Sequence, residues 1–272
     1  MMSSMCGASS FRRMGICSFA AVLLSVVPQA KADPFLVTLE KPGVEQSSLF
    51  LDPAAFGATG VFQDNFNADT PGLHNSLMFG GSPNVGTYGK SWIQGADQWG
   101  GAGGVGNYFN INNRYPGAPS STTLTLNQPE RYFGLWWSAG DPNNEMDFYS
   151  GTTLIEKFTT ANLLNFINSQ PASLRHQYFG NPNSQFKGKN AGEPYAFVNF
   201  FADPNNKNVT FNKVVFINHG NTTGFESDNH TIAATYSSTT PVPEPSTVAM
   251  MGIGGVALFG MLAIRARRRA SV

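Results

Sequence analysis

Short runs of alternating apolar and polar residues, separated by turn-forming residues, occupy the second half of the chain. Residues 131–137 (RYFGLWW) are apolar on both faces, which is typical of a strand at the centre of a sheet. Residues 146–149 and 153–158 indicate the two strands of a hairpin, and the sequence DPNN at residues 141–144 indicates the turn before it. With about eight to ten strands in all, the pattern predicts an all-β fold, an antiparallel β-sandwich of jelly-roll type.

The remaining elements are predicted on both sides of this hairpin. Residues 160–167 form the one predicted helix of the domain, with Thr160 as its N-cap. Residues 80–110 are rich in glycine but carry large aromatic rings, so we expect ordered loops and short strands there rather than a linker. The other strands are expected at residues 35–40, 61–66, 195–201, 211–217 and 230–236.

Residues 241–272 contain three parts in a fixed order: a proline-rich start, an uncharged run at residues 247–264, and a basic end. At about 1.5 Å per residue, the uncharged run is just long enough to cross a bilayer as a transmembrane helix. Arginine is costly to move across lipid, so the basic end is expected to stay in the cytoplasm while the preceding chain is exported. The residues of this basic stop are Arg265, Arg267, Arg268 and Arg269.

This tail resembles the PEP-CTERM sorting signal, with Pro243, Glu244 and Pro245 as the motif itself. The resemblance implies that an exosortase removes the tail while sorting the protein to the cell surface or extracellular matrix. It also implies a Gram-negative bacterium that makes exopolysaccharide, and an inner-membrane anchor that is only transient. The alternative is a plain single-span anchor behind a proline-rich stalk.

The N-terminus carries the features of a secretory signal peptide. Arg12 and Arg13 precede an apolar run, and residues 30–32 (AKA) offer the small residues that a signal peptidase reads. The chain is therefore predicted to comprise a signal peptide at residues 1–32, an exported domain at 33–240 and the sorting signal at 241–272. Both cysteines lie before residue 33, so the exported domain has no disulfide.

The charge of the exported domain limits its partners. It contains ten Lys and Arg against 16 Asp and Glu, a formal charge of −6. A negative domain of this kind is not expected to bind nucleic acid.

Catalytic constellations are sparse in this domain. The four histidines are far apart in sequence, so we interpret them as exposed loop residues rather than as a metal or haem site. No GxSxG nucleophile elbow is present. Glu145, Asp147 and Glu156 could form a glycosidase pair, but Asp147 and Glu156 are the polar members of alternating strands, which indicates a solvated face.

Oxygen-bearing side chains near both ends of the domain suggest calcium, the one cofactor predicted. Asp64, Asn67 and Asp69 could meet Glu226 and Asp228 if the strands that carry them are neighbours, since calcium prefers oxygen ligands. A rival site at residues 141–147 (DPNNEMD) begins like an EF-hand but lacks its glycine and its distal glutamate. The alternative for both is turn-forming Asp and Asn in solvent.

Four tryptophans divide into two pairs. Trp92 and Trp99 lie in the glycine-rich stretch and are the residues expected to stack on sugar rings. Trp136 and Trp137 are adjacent in the predicted central strand, so at least one of them is expected in the core.

Residues 131–141, 148–151 and 224–229 resemble a group of exosortase-dependent surface proteins with a lectin-like β-sandwich, over roughly residues 61–236. The resemblance implies a sandwich and no established catalytic residues. We therefore expect a non-enzymatic surface or matrix protein, associated with exopolysaccharide or biofilm and able to bind carbohydrate. The alternative is a secreted glycosidase-like enzyme that carries the same sorting tail.

Overall fold

The computed structural model describes residues 33–112 and 114–240. The predicted signal peptide and the predicted sorting signal lie outside these residues, as does the transmembrane helix predicted at 247–264. Within the described ranges, no helix is long and apolar enough to cross a membrane.

Two antiparallel sheets make up this part of the chain. The larger has eight strands, in the order β1-β12-β9-β14-β7-β6-β3, with β2 paired to β14. The smaller has six strands, in the order β11-β10-β13-β8-β5-β4. The strands are β1 (Phe35–Leu39), β2 (Phe62–Asp64), β3 (Gly72–His74), β4 (Leu77–Met78), β5 (Gly86–Tyr88), β6 (Ser91–Gly95), β7 (Asn107–Asn112), β8 (Ser121–Glu130), β9 (Tyr132–Ser138), β10 (Asn144–Ser150), β11 (Thr153–Thr159), β12 (Ala196–Ala202), β13 (Phe211–Asn218) and β14 (Gly224–Ala233).

The chain passes between the two sheets repeatedly. From β7 to β14, every connection except the β10–β11 hairpin leads to the opposite sheet. This alternation is typical of a jelly-roll-like sandwich and confirms the predicted fold class. The glycine-rich stretch contributes β5, β6 and most of β7, as expected of ordered structure.

Strand β9 explains why residues 131–137 are apolar on both faces. It lies inside the larger sheet, between β12 and β14. Its inward side chains, Phe133, Leu135 and Trp137, are buried in the core between the sheets. Its outward side chains, Tyr132 and Trp136, are buried in two smaller clusters on the outer face. The prediction of a central core strand is confirmed.

Aromatic rings fill the space between the sheets. The ring centroids of Phe200 and Phe211, which come from two other strands, lie 5.0 and 5.3 Å from the ring centroid of Phe148. Such contacts add to the stability that burial of the rings provides. His230 lies in the same core and is fully buried, with its ring stacked on Phe216 at a centroid distance of 5.1 Å.

The helices are short, and the longest packs Leu163 and Ile167 into the hydrophobic core. The predicted helix is α3 (Thr160–Ser169), but its N-cap is Thr159, whose side chain forms a capping box with Asn162, so the predicted cap at Thr160 was wrong by one residue. Three further helices have only four residues each and were not predicted: α1 (Ser48–Leu51), α2 (Pro53–Phe56) and α4 (Ala172–Arg175). Short 3₁₀ turns occur at Phe79–Gly81, Ala102–Gly104 and His176–Tyr178.

Candidate functional site

A bulge in β14 decides where its polar residues point. The pairing with β9 shifts register between Asp228 and Thr231, and Asn229 has a left-handed backbone with φ of 51°. Such a bulge reverses the face on which the following side chains lie. Asp228 therefore points to the outer face of the larger sheet, whereas His230 points into the core.

The charge of Asp64 acts on Asp228, but these two predicted calcium ligands lie on opposite faces of the larger sheet, because Asp64 shares the inward face of His230. Strand β2 pairs with β14, with Asp64 opposite His230. Burial raises the pKa of Asp64 to about 6. Burial, and to a smaller extent the charges of Asp64 and Glu45, raise the pKa of Asp228 to about 8. Asp228 already accepts hydrogen bonds from the backbone amides of Ala102 at 2.8 Å and Asn229 at 2.6 Å.

The other three predicted ligands have different surroundings. Asn67 uses its side-chain oxygen to accept a bond from the Asn107 amide at 2.8 Å. Asp69 is half-buried, and its charge acts on Asp64. Glu226 belongs to a separate group, in which the charges of Asp141, Glu193 and Asp97 act on it. Across residues 33–112 and 114–240, no group of three or more His, Cys, Asp or Glu side chains is arranged to hold a metal ion.

A polar cleft with a volume of about 600 Å³ opens beside Asp228. Glu45 also lines it, accepts a bond from the Gly103 amide and has its pKa raised to about 7 by burial. Glu45 was not predicted, because it precedes α1 in a segment that contains no recognisable motif. The main polar side chains of the cleft are Glu45, Gln46, Gln63, Asn67, Asn183 and Asp228.

An aromatic strip, formed by Trp92, Trp99, Arg114 and Tyr115, lies on the outer face of the larger sheet. Trp92 stacks on Tyr115 with ring centroids 4.6 Å apart and an interplanar angle of 14°. The guanidinium of Arg114 lies over Trp99, 5.5 Å from the ring centroid. Both tryptophans are partly exposed, whereas Trp136 and Trp137 are fully buried. At least one of Trp136 and Trp137 was expected in the core, and the structure buries both.

The carboxylates considered as a glycosidase pair lie on the other sheet. Glu145 and Asp147 both contact Lys157, with 3.8 Å between Asp147 Oδ1 and Lys157 Nζ. Burial tends to raise the pKa of Glu145, but Lys157 and His219 outweigh it and lower this pKa. The predicted solvated position was wrong for Asp147, which is buried, whereas Glu156 is half-buried. Glu156 lies on β11, opposite Phe148.

The histidines also differ from the sequence prediction in one case. His176 and His219 are exposed, as expected, and His74 is half-buried. His230, in contrast, is fully buried, with its two ring nitrogens 2.9 Å from the hydroxyls of Tyr88 and Ser227. Burial lowers the pKa of His230 to about 3.

Comparison with protein families identifies the C-terminal segment. Residues 241–269 match the model of the PEP-CTERM protein-sorting motif. This chain carries a PEP-CTERM sorting motif. The motif includes Pro243, Glu244 and Pro245 and directs a protein to export and to the cell surface, with processing by an exosortase.

Two further comparisons concern the chain as a whole. No curated protein matches it. Among solved structures, the K2 cleaved adhesin domain of Lys-gingipain is similar over 64% of this chain and 97% of that chain, with 15% sequence identity and a TM-score of 0.35. The assignment of a sandwich rests on the pairing of the strands themselves.

Proposed function

We propose that this exported protein is a non-enzymatic surface or matrix component whose domain binds polysaccharide, within or beside the exopolysaccharide of a biofilm. The producing cell would be a Gram-negative bacterium, and the protein would be anchored only transiently in the inner membrane. The observation that carries the proposal is the aromatic strip. Partly exposed rings of this kind offer flat apolar faces on which sugar rings can stack.

Charge determines how such binding would be driven. The exported domain has a formal charge of −6, so Coulomb attraction to an acidic polymer cannot supply the affinity. Stacking, hydrogen bonds or a bridging cation would have to supply it instead. Binding is therefore expected to persist at salt concentrations that screen the attraction of a basic protein.

The absence of catalysis is part of the proposal, and the ion pairs of the smaller sheet support it. Glu145 and Asp147 of β10 share Lys157 of β11, so both carboxylates are engaged in a contact between neighbouring strands. The competing function, a glycosidase, has a direct test. Release of reducing ends from the host's exopolysaccharide, abolished by substitution of Glu145, Asp147 or Glu156, would establish the enzyme and overturn the proposal.

The aromatic strip gives the first prediction. Trp92→Ala and Trp99→Ala should each weaken polysaccharide binding by about 1 kcal/mol or more, roughly fivefold, because each removes a stacking surface. Affinity electrophoresis in gels that contain the host's polysaccharide measures this change. Melting of the same variants should show that the fold is retained.

Two control variants separate binding from folding. Trp137→Ala removes a fully buried ring and should reduce stability by about 3 to 5 kcal/mol. Leu154→Ala removes an exposed apolar side chain from the smaller sheet and should change neither property. Unchanged binding by both Trp92→Ala and Trp99→Ala would remove the strip as the binding surface.

Calcium binding through Asp64 or its neighbours together with Asp228 is the second prediction. A cation would offset the repulsion between these two carboxyls, which contributes to the raised pKa of Asp228. At free calcium of about 100 times the dissociation constant, binding to the native state alone should add about 2.7 kcal/mol, or several degrees of melting temperature. Equal melting in millimolar calcium and in chelator would reject the site.

Processing of the tail is the third prediction. Protein recovered from the cell surface should lack residues 247–272 and should retain them in a strain without the exosortase. Mass spectrometry of the intact protein measures the mass directly. An intact C-terminus on the surface of wild-type cells would indicate a simple membrane anchor instead.

A further inference from the structure

A row of buried polar side chains crosses the larger sheet next to the aromatic strip. Asn110 of β7 is directly opposite Glu226 of β14, and Glu226 is directly opposite Ser138 of β9. Residues directly opposite each other in antiparallel strands share a face. The flanking residues Phe109, Phe225 and Trp137 are in the inter-sheet core, so the row lies on the outer face.

Two polar atoms of this row lack hydrogen-bond partners within the part of the chain that the structure describes, whereas Asn110 Nδ2 donates to Gln94 Oε1 at 3.0 Å. Asn110 is 3% exposed and Ser138 is fully buried. In the described residues, Asn110 Oδ1 accepts no hydrogen bond, and Ser138 Oγ takes part in none. The Asn110 Oδ1 and Glu226 Oε1 atoms converge over Gly224, where a Cβ would collide with the carboxyl oxygen and lie 2.8 Å from the amide oxygen. Buried polar atoms without partners are rare in native proteins and call for an explanation, such as a bound group.

One end of the row opens to solvent at the aromatic strip. Trp92 is directly opposite Asn110, and its other neighbour, Leu73 of β3, is 42% exposed. A sugar ring that stacks on the free face of Trp92 would therefore lie next to Asn110, and Glu226 is the next residue of the row. The geometry suits a ligand with one apolar face and several hydroxyl groups.

The charges around the row determine which sugar fits. Asp97, Asp141 and Glu193 lie close enough for their charges to act on Glu226. The one cation of the strip, Arg114, is over the Trp99 ring. A carboxylate on the ligand would face like charges, which is strongly unfavourable. Hydroxyl groups can instead donate to Asn110 Oδ1 and exchange hydrogen bonds with Ser138.

We propose that Asn110, Glu226 and Ser138, next to Trp92, bind the hydroxyl groups of a neutral glycosyl unit, so that the polysaccharide recognised is neutral rather than acidic. This inference rests on the proposed function and names the class of sugar. It assigns specificity to the polar row and stacking to the strip.

The test compares ligands of opposite charge by titration calorimetry on protein recovered from the cell surface. The probes are neutral glucan, galactan and mannan oligosaccharides, and galacturonate oligosaccharides of the same length. At least one neutral oligosaccharide should bind, and the galacturonates should bind about tenfold more weakly or not at all. Equal or tighter binding of galacturonate would overturn the inference.

Ser138→Ala is the variant that tests the row. Because Ser138 Oγ lacks a partner in the described part of the chain, its removal should leave the melting temperature unchanged or higher, whereas binding of the neutral oligosaccharide should weaken by about three- to tenfold. Thr122→Val is the matched control, since Thr122 Oγ1 is a buried, unpartnered hydroxyl on the smaller sheet. This substitution should leave binding unchanged and should change stability only slightly.

The outcomes separate the inference from the proposed function. If Trp92→Ala loses binding but Ser138→Ala does not, polysaccharide binding stands and the role of the row is rejected. If none of the oligosaccharides binds but the host's polysaccharide does, the row is again rejected. If neither binds, both proposals are wrong.

Discussion

Between pH 4.5 and pH 8, the wild-type protein is expected to lose on the order of 4 kcal/mol of stability through Glu130. The variant Glu130→Gln should not show this loss. Glu130 ends strand β8, is 5% exposed, and its Oε2 atom has no partner in the described structure. Burial alone raises its pKa to about 8. Between the ordinary pKa and this raised one, the unfolded chain releases the proton while the folded chain keeps it, so stability falls by about 1.4 kcal/mol per pH unit.

The direction in which stability changes with pH can be measured. The stability that the protonated Glu130 provides is fully present below about pH 4.5 and is lost as the pH rises to about 8. Glutamine cannot ionise, so the variant should gain on the wild-type protein steadily over this range. Denaturant unfolding at several pH values measures the difference. Asp33→Asn, at an exposed residue, is the matched control and should run parallel to the wild-type protein; a parallel curve for Glu130→Gln would contradict the prediction.

The fold was predictable where the sequence pattern reflects burial directly. Residues 131–137 read as a central strand because β9 is covered on both faces, so no polar position interrupts it. Strand β14 was placed too late, at residues 230–236, although it spans Gly224–Ala233. Its first half carries Glu226, Asp228 and Asn229, whose burial on a covered outer face cannot be read from a polar sequence.

The candidate site was predictable only where local composition differs between its residues and the core. Trp92 and Trp99 were separable from Trp136 and Trp137 because glycine-rich loops and alternating strands differ in composition. The proximity of Asp64 and Asp228 depends on the pairing of β2 with β14, which the sequence suggested only as a condition. The row of Asn110, Glu226 and Ser138 depends on strand register between three distant segments, and no local pattern encodes it.

His230 shows how one irregular backbone position changes the chemistry of a residue. Without the bulge at Asn229, alternation would place His230 on the same face as Asp228. Instead, the ring lies in the aromatic core between the hydroxyls of Tyr88 and Ser227. The core can hold it only as the neutral imidazole, since burial lowers its pKa to about 3.

His230→Phe is therefore expected to destabilise the protein at pH 7 and to stabilise it, relative to the wild-type protein, at low pH. At pH 7 the variant should be less stable by about 1 to 3 kcal/mol, because the buried hydroxyls of Tyr88 and Ser227 lose their partner. The stability that neutral His230 provides is fully present above the ordinary histidine pKa of about 6.5 and is lost at about 1.4 kcal/mol per unit as the pH falls towards 3. By pH 3.5 the wild-type protein should have lost about 4 kcal/mol of stability that the His230→Phe variant does not lose, so the two stability curves should cross near pH 5.

His176→Phe, at an exposed histidine, is the matched control and should show no crossing. Comparing each variant with the wild-type protein at the same pH cancels the titration of all groups that the proteins share, and a constant difference from pH 7 to pH 3.5 would mean that His230 does not remain neutral in the core.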